Sequence, residues 1–474
     1  MSMTDRIRSW LWQVMTPPDD WGERRAMLED YARWRDYYDG IQRRQIKVKA
    51  GQADDNIVLN FSSLVVERSV SMLFGNGVEF DLPGEAEDPN SAYIDAVWKA
   101  NKKDILLHKV GQNGSIYGTC YVKIVPDGVE AREAENAYLP RLINLDPMTV
   151  SVQTDPEDID TVIGYEIRYV VMMDGQETAR REVIEPVYSA ITDDEGRLVG
   201  NGGIVGWTIA NYKSNSMTGG RWVEMYEPQE WPYEFPPIMH WQNLPQAGNV
   251  YGLSEIANIL ELQDRINFTA SNVSKIIRYH AHPRTWGRNI SAGGKSTMNW
   301  GADEMPVFSG DGAQIANLEM QSDLSSSRGY MMELRQALFD ISRTVDVTSL
   351  ADKLGALTNF GLRVLFLDAM AKISTKQEIY GEALSEINHR LLVIGGIDPV
   401  DGGDVIWPDT LPQNEIEAMQ SDGFDLERGI ASKQTIAQRR GYEWEDEKER
   451  MGEEQAAGDN VGAAILRAFS GGNQ

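Results

Sequence analysis

The 474-residue sequence has a single cysteine, Cys120, and only five histidines. One cysteine can form neither a disulfide within the chain nor a cysteine metal cluster. His280 and His282 are the only close histidine pair, and no nearby carboxylate completes a metal site there. We therefore predict no metal and no cofactor, and we interpret Cys120 as a buried strand cysteine.

Long apolar runs are missing as well. No run approaches the about 18 residues that span a bilayer. Residues 1–15 combine Arg6 and Arg8 with Trp10 and Trp12, but they lack the continuous apolar stretch and cleavage site of a signal peptide. We predict an amphipathic helix there, no membrane span, and a chain that is cytosolic when made.

Signatures of catalysis are equally scarce. Gly293-Gly294-Lys295 lacks the strand-to-helix context of a phosphate-binding loop. Asp401-Gly402-Gly403-Asp404 lacks the spaced carboxylates and final Glu of a calcium loop, and is better interpreted as a turn. No Gly-x-Ser-x-Gly elbow occurs. The sequence therefore predicts no catalytic residues and no enzyme, with a carboxylate-dependent hydrolase as the weakest alternative.

Basic residues are outnumbered, 45 Lys and Arg against 72 Asp and Glu, for a net charge of −27. A protein that grips nucleic acid over its whole surface needs clustered Lys and Arg, so this class is excluded. Two explanations stay open. The charge is either an ordinary acidic soluble surface or a surface that faces DNA without adhering to it.

The periodicity of apolar residues predicts an α+β chain. Helical spacing covers 23–40, part of 56–80, and 91–111 or beyond, before a β-rich unit at 118–241. A helix at 252–279 then leads into an insert at 284–321, which we predict to be a small β-containing unit. Further helices are predicted at 325–344 and 360–392, the latter ending at Gly395-Gly396, followed by short helices in an acidic tail.

A basic cluster stands out against the acidic background. Between Asp264 and Asp303 there is no acidic residue and there are six basic ones, most of them near the end of the 252–279 helix or in the insert. The cluster is either a solvated helix end with a polar loop or a patch for an acidic partner or phosphates. Nearby tryptophans suit either a protein interface or the core of the insert. The candidate residues are Arg278, Arg284, Trp286, Arg288, Lys295 and Trp300.

A second candidate is the segment 345–359, which connects two predicted helices and is longer than most such connections. Long ordered loops are often functional. Its candidate residues are Asp346, Thr348, Ser349, Asp352 and Lys353.

The order of short motifs along the chain resembles the portal proteins of siphovirus-type tailed phages. Each motif alone is weak, but together they cover about 430 residues in the family's order. They are Tyr37-Tyr38-Asp39-Gly40, Asn60, Met72-Leu73-Phe74-Gly75, Tyr117-Gly118-Thr119-Cys120-Tyr121-Val122, Gly252-Leu253-Ser254-Glu255-Ile256, Leu262-Gln263-Asp264-Arg265-Ile266-Asn267, Thr358-Asn359-Phe360-Gly361-Leu362-Arg363, Ile430-Ala431-Ser432-Lys433-Gln434-Thr435 and Glu443–Glu454.

The resemblance implies a portal-like architecture with named parts. It implies a wing at 1–251, with the β-rich unit at 118–241, stem helices at 252–282 and 322–344, and a clip at 283–321. The segment 345–359 becomes the tunnel loop, 360–396 the long helix after it, and 397–474 the crown and acidic tail. The basic cluster then belongs to the clip, where partners dock, and the loop residues face DNA.

The resemblance also implies the function and the partners. The chain would form a homo-oligomeric ring, typically a dodecamer, at one capsid vertex of the virion. Double-stranded DNA would pass through it, driven by the terminase large subunit, and leave again during genome ejection. Further implied partners are the head–tail connector, the major capsid protein and the scaffolding protein. The alternative is another virion structural protein, such as a connector or capsid subunit.

Overall fold

The computed structural model forms two compact units, one from residues 1–350 and 366–410 and one from residues 351–365 and 411–474. It describes residues 23–48, 51, 54–83, 89–130, 138–155, 157–173, 175–192, 198–214, 221–281, 284–288, 314–318, 324–346, 359–397, 401–408 and 415–439, with 444, 447–448 and 450–451. Among the described helices, none is both long enough and apolar enough to cross a membrane.

Four helices open the described chain: α1 (Glu23–Tyr38), α2 (Phe61–Phe74), α3 (Pro89–Ala100) and α4 (Lys103–Tyr117). The first two confirm the predicted helices. The side chain of Asn60 caps α2 by accepting a hydrogen bond from the Ser63 amide. The single helix predicted over 91–111 is wrong, because two helices occupy this region.

The break between α3 and α4 has a local cause. Lys102 adopts a left-handed backbone conformation with φ 55°, which an α-helix cannot continue through. The side chain of Asn101 bonds to strand residues instead: its Nδ2 donates to the Pro140 carbonyl, and its Oδ1 accepts from the Leu142 backbone amide, at 2.8 Å each. The apolar residues on either side keep the spacing of one helix, although the backbone changes direction at Lys102.

The predicted β-rich unit is confirmed. A three-stranded antiparallel sheet has the order β10–β2–β3 and consists of β2 (Thr119–Glu130), β3 (Tyr138–Asn144) and β10 (Ile238–Gln242). A second sheet has the order β4–β5–β6–β7–β8, and β9 also pairs with β7. Its strands are β4 (Val150–Thr154), β5 (Val162–Met173), β6 (Gln176–Thr192), β7 (Leu198–Ser214), β8 (Val223–Glu224) and β9 (Gln229–Trp231).

Two helices and a strand pair follow. Helices α5 (Leu260–Ala281) and α6 (Leu324–Ile341) pack against each other. Between them in sequence, β11 (Arg284–Arg288) and β12 (Gln314–Leu318) pair antiparallel, which confirms a β-containing insert. The predicted helix start at 252 is wrong. A 3-10 turn at Ala257–Ile259 precedes α5, because the residues before it are held by tertiary contacts.

The last long helix is divided. Helix α7 (Asn359–Leu365) belongs to the second unit and α8 (Leu367–Ile394) to the first, so the single helix predicted over 360–392 is wrong. The interruption lies at Phe366, whose ψ is 5°. The predicted stop at Gly395-Gly396 is confirmed. The second unit also contains the short helices α9 (Glu415–Glu427) and α10 (Lys433–Arg439).

The main core of the first unit lies among α1–α4, β2 and α8. Residues such as Val70, Trp98, Ile116 and Leu391 are almost completely buried there. A two-stranded sheet of β1 (Glu79–Asp81) and β13 (Asp404–Ile406) lies beside it. Because α8 is buried along most of its length, its polar residues on the inner face need partners in the core.

Candidate functional site

Two of the motifs quoted above meet in space, at Gly118 and Gly252. Both have left-handed φ values, 86° and 72°, and the carbonyl oxygen of each lies 2.9 Å or less from the position of a Cβ on the other. Only glycine fits such a backbone crossing. The crossing is extended by hydrogen bonds from the Ser254 hydroxyl to the Ile116 carbonyl and from the Glu255 amide to the Ser115 carbonyl.

This crossing directs Glu255 into the core, where its side chain is 1% exposed. One carboxylate oxygen accepts hydrogen bonds from the hydroxyls of Ser69 (2.8 Å) and Ser115 (2.9 Å) and from Lys376 Nζ (2.7 Å). The other accepts from Lys372 Nζ at 2.8 Å. We call these five residues the Glu255 cluster.

The two lysines of the cluster come from successive turns of α8. Lys372 is 5% exposed and Lys376 is completely buried. Lys372 also donates to the Ser342 carbonyl at 2.9 Å. Ser342 follows the last residue of α6, so the cluster joins the start of the α5 segment, the end of α6, and the long helix α8.

A neutral polar chain extends the cluster. The Tyr380 hydroxyl donates to Asn243 Oδ1 at 2.9 Å and lies 3.2 Å from Cys120 Sγ. Burial raises the pKa of the Cys120 thiol to about 12. The interpretation of Cys120 as a buried strand cysteine is therefore confirmed, and a thiol of this kind is not a nucleophile at neutral pH.

The electrostatics of the cluster favour an ionised carboxylate. Burial opposes ionisation of Glu255, but the ammonium groups of Lys376 and Lys372 outweigh it and hold the pKa of Glu255 well below its usual range. Burial lowers the pKa of Lys376, while Glu255 opposes that change. Both carboxylate oxygens are occupied by donors and shielded from solvent. The cluster is therefore built to hold structure rather than to turn over a substrate.

Sequence reasoning missed this cluster, although one signal was present. Lys372, Lys376 and Tyr380 recur at four-residue steps, in line with apolar residues of the same helix such as Ile373 and Leu384. A lysine in an apolar stripe needs a buried partner. Nothing in the sequence says that this partner is Glu255, more than a hundred residues earlier.

A second polar arrangement holds α5 in place. Gln263, Asn267 and Ser271 recur every four residues on its buried face. Their oxygens accept hydrogen bonds from three backbone amides, those of Phe61 (3.0 Å), Leu59 (2.9 Å) and Ile57 (2.9 Å), respectively. The side chains of the helix thus pair with an extended segment much as a neighbouring strand would. Gln263 and Asn267 lie in a quoted motif, but their role was not predicted.

The predicted basic cluster is only partly within the described side chains. Arg278 forms an ion pair with Asp55 at 2.6 Å, with its side chain 34% exposed. Arg284, Trp286 and Arg288 lie on β11, whose backbone is described. Lys295 and Trp300 lie outside the described residues.

The predicted loop is described only at its ends. Asp346 is 14% exposed and forms an ion pair with Arg335 of α6 at 2.7 Å. The preceding carbonyl, of Val345, accepts from Arg68 of α2 at 2.7 Å. Thr348, Ser349, Asp352 and Lys353 lie outside the described residues. Two arginines therefore fix the point where the chain leaves α6.

Among the described residues, no group of three or more His, Cys, Asp or Glu is arranged to hold a metal ion. The long acidic face of α8 borders a groove of about 930 Å³ with Glu378, Glu382, Asp401 and Asp404. Acidic side chains are common on solvated protein surfaces, so their presence along this groove does not indicate a binding site.

Comparison with known proteins identifies the family. The family model described as "Phage portal protein, SPP1 Gp6-like" matches residues 21–460. No curated protein matches the chain. Among the solved structures that match, two contain chains that align with this one at 14% identity. "Neck of empty GTA particle computed with C6 symmetry" has a TM-score of 0.45 and covers 80% of this chain and 88% of its own. "Virion of native gene transfer agent (GTA) particle" has a TM-score of 0.46 and covers 93% of this chain and 99% of its own.

The family match spans nearly the whole chain and includes every motif quoted from the sequence. It includes both glycines of the backbone crossing and all members of the Glu255 cluster. The chain belongs to the SPP1 Gp6-like family of phage portal proteins and is a portal-type protein of the capsid vertex.

Proposed function

We propose that copies of this chain close into a ring, a dodecamer, that serves as a passive conduit for double-stranded DNA. The terminase large subunit would drive DNA through it into the head, and the same channel would release the genome. The observation that carries this proposal is the pair of helices α5 and α6 joined by the β11–β12 insert, in a chain of the portal family.

The two helices have the properties of a stem. Of the residues of α6, only Leu338 and Phe339 are buried in the single chain. Most of its surface is thus free to pack on neighbouring copies, as ring closure requires. The Glu255 cluster and the ladder of Gln263, Asn267 and Ser271 connect this stem firmly to the core of the wing.

The remaining assignments follow from the stem. The insert at 283–321 would be the clip, which docks the terminase and later the head–tail connector through its basic and aromatic residues. The segment 345–359 would be the tunnel loop facing DNA. The ion pair of Asp346 with Arg335 supports a role of that residue in holding the start of the loop. The residues after 397 would form the crown.

The charge supports a conduit that does not bind DNA tightly. Phosphate binding by many Lys and Arg side chains would hold DNA by counterion release and slow its passage. A dodecamer would have a net charge of roughly −320. Such a ring must be held together by local contacts, while its overall field repels the phosphates. It needs no catalytic residues of its own.

Electron microscopy of the purified chain tests the ring. Axial views should show closed rings with a central hole, and a compact monomer at micromolar concentration would contradict the proposal.

Deletion of Thr348–Gly355 tests the loop. The variant should form rings and package less DNA than the wild type, and packaged DNA of normal length would remove the loop from the proposal.

A further inference from the structure

The hairpin of β6 and β7 extends beyond the sheet to which it belongs. Strand β5 pairs with β6 only over Gln176–Ile184. Strand β9 pairs with β7 only over Trp207–Ile209. Beyond these points β6 and β7 pair with each other as far as Thr192 and Leu198. Within the described residues no third strand joins them there. We call residues 186–192 and 198–206 the arm.

A two-stranded hairpin of this kind is marginally stable by itself in water. The two strands of the arm are about 23 Å and about 30 Å long at the usual rise per residue. Its pairing is irregular, with register shifts after Val187, Tyr188 and Ile191. Stability of such an arm requires a further surface on which it can pack.

The side chains at the base of the arm present apolar surface to solvent. Val187 is 42% exposed, Tyr188 40% and Val205 52%. Gly203 leaves open space beside them, with no atom within 4 Å of a Cβ position. Exposed apolar groups clustered on one element mark a contact surface rather than ordinary scatter.

The composition of the arm indicates what covers it. The chain is 25% charged, yet neither strand of the arm contains a charged residue, and the charged residues of the hairpin sequence, Asp193, Asp194, Glu195 and Arg197, all lie between the two strands. A basic partner would be met by acidic side chains, which this chain has in abundance. A like-charged partner is best met by a neutral, apolar surface, because every acidic residue there would add repulsion and a desolvation cost. A second copy, with its charge of −27, is such a partner.

We infer that the arm packs on the neighbouring copy in the ring. This inference rests on the proposed ring and specifies one of its contacts. The contact is heterologous, because the arm of each copy meets a different surface of the next copy, and contacts of that kind close into rings. The arm thereby contributes neutral contact area to an assembly whose subunits repel each other at long range.

The double substitution V187E/V205E tests this contact in the full chain. Both positions are exposed, so the monomer should fold with an unchanged circular dichroism spectrum. The concentration at the midpoint of ring formation, measured by sedimentation velocity, should rise at least about tenfold. The matched control I159E/M172E adds the same charge at two other exposed apolar positions, 43% and 67% exposed, and should leave the midpoint within about twofold.

The outcomes separate the two levels of the proposal. Wild-type rings with an unchanged midpoint in V187E/V205E would overturn the arm contact and leave the conduit standing. An equal rise in the control would also overturn it, since charge alone would then explain the effect. A wild type without rings would overturn both.

A photo-crosslinking amino acid in place of Tyr188 provides a second readout. Irradiated rings should contain covalent pairs of chains, and mass spectrometry should locate the receiving surface on the second copy. Crosslinks confined to one chain, or formed only with another head protein in assembled particles, would contradict the inference.

Discussion

Positive charge occurs in two very different settings in this acidic protein. In the Glu255 cluster, Lys372 and Lys376 are buried in the core and both donate hydrogen bonds to one carboxylate. At the end of α5, Arg278 is one-third exposed and pairs with Asp55. The first setting removes charge from water, while the second leaves it in contact with water.

The difference teaches which cations the fold depends on. A buried charge without its partner costs several kcal/mol, because no solvent replaces the lost interaction. A surface pair contributes about 0–1 kcal/mol, since water competes for both ions. We therefore expect changes in the Glu255 cluster to affect folding, and changes in the basic cluster to affect partner binding.

The largest effect is expected from Glu255→Gln. This change leaves two buried ammonium groups without a carboxylate, and should lower the free energy of unfolding by about 3–5 kcal/mol. Urea unfolding followed by circular dichroism measures the change. A loss below about 1 kcal/mol would show that the cluster is not a structural joint.

A smaller loss is expected from Lys376→Met or Lys372→Met, about 1–3 kcal/mol each, because Glu255 keeps one lysine partner. The same unfolding assay should give the order E255Q, then the lysine variants, then wild type. The double variant E255Q/K376M is the sharper control. It should be more stable than E255Q alone, since one unpaired ammonium group has been removed, and a further loss would contradict the ion-pair explanation.

The pH dependence of stability should follow the lowered pKa of Glu255. An unfolded chain protonates this group near the ordinary pKa of a glutamate, 4.5, whereas the folded chain does so only at lower pH. The unfolded state therefore binds more protons as the pH falls below about 4.5, and stability decreases. The difference in the free energy of unfolding between wild type and E255Q should narrow steadily as the pH falls from about 4.5 to 3. A constant difference would contradict the assignment.

The smallest effect on stability is expected from the arginines of the basic cluster that lie on β11. The double reversal R284E/R288E should change the free energy of unfolding by less than about 0.5 kcal/mol and leave the ring intact. Docking of the packaging motor or of the connector should nevertheless be lost. Normal packaging and tail joining in this variant would show that the basic cluster is only a solvated surface.

Much of the fold follows from local pattern. Helix α1, the β-rich unit and the stop of α8 were predicted because apolar period and glycine position act over a few residues. The errors at Asn101-Lys102, at Gly252–Glu255 and at Phe366 share one cause. At each of them the apolar residues keep helical spacing while the backbone departs from the helical conformation. At the first two, contacts with distant segments account for the change, and the period contains no information about such contacts.

The sequence by itself determined the class of this protein: an acidic α+β chain with one cysteine, without the motifs of an enzyme, and with motifs in the order of a phage portal protein. Only the tertiary structure decided what those motifs do. It brought Gly118 against Gly252, and it placed Glu255 between two lysines that follow it by 117 and 121 residues. Local propensity acts between near neighbours, whereas a buried ion pair exists only once the fold has excluded water around it.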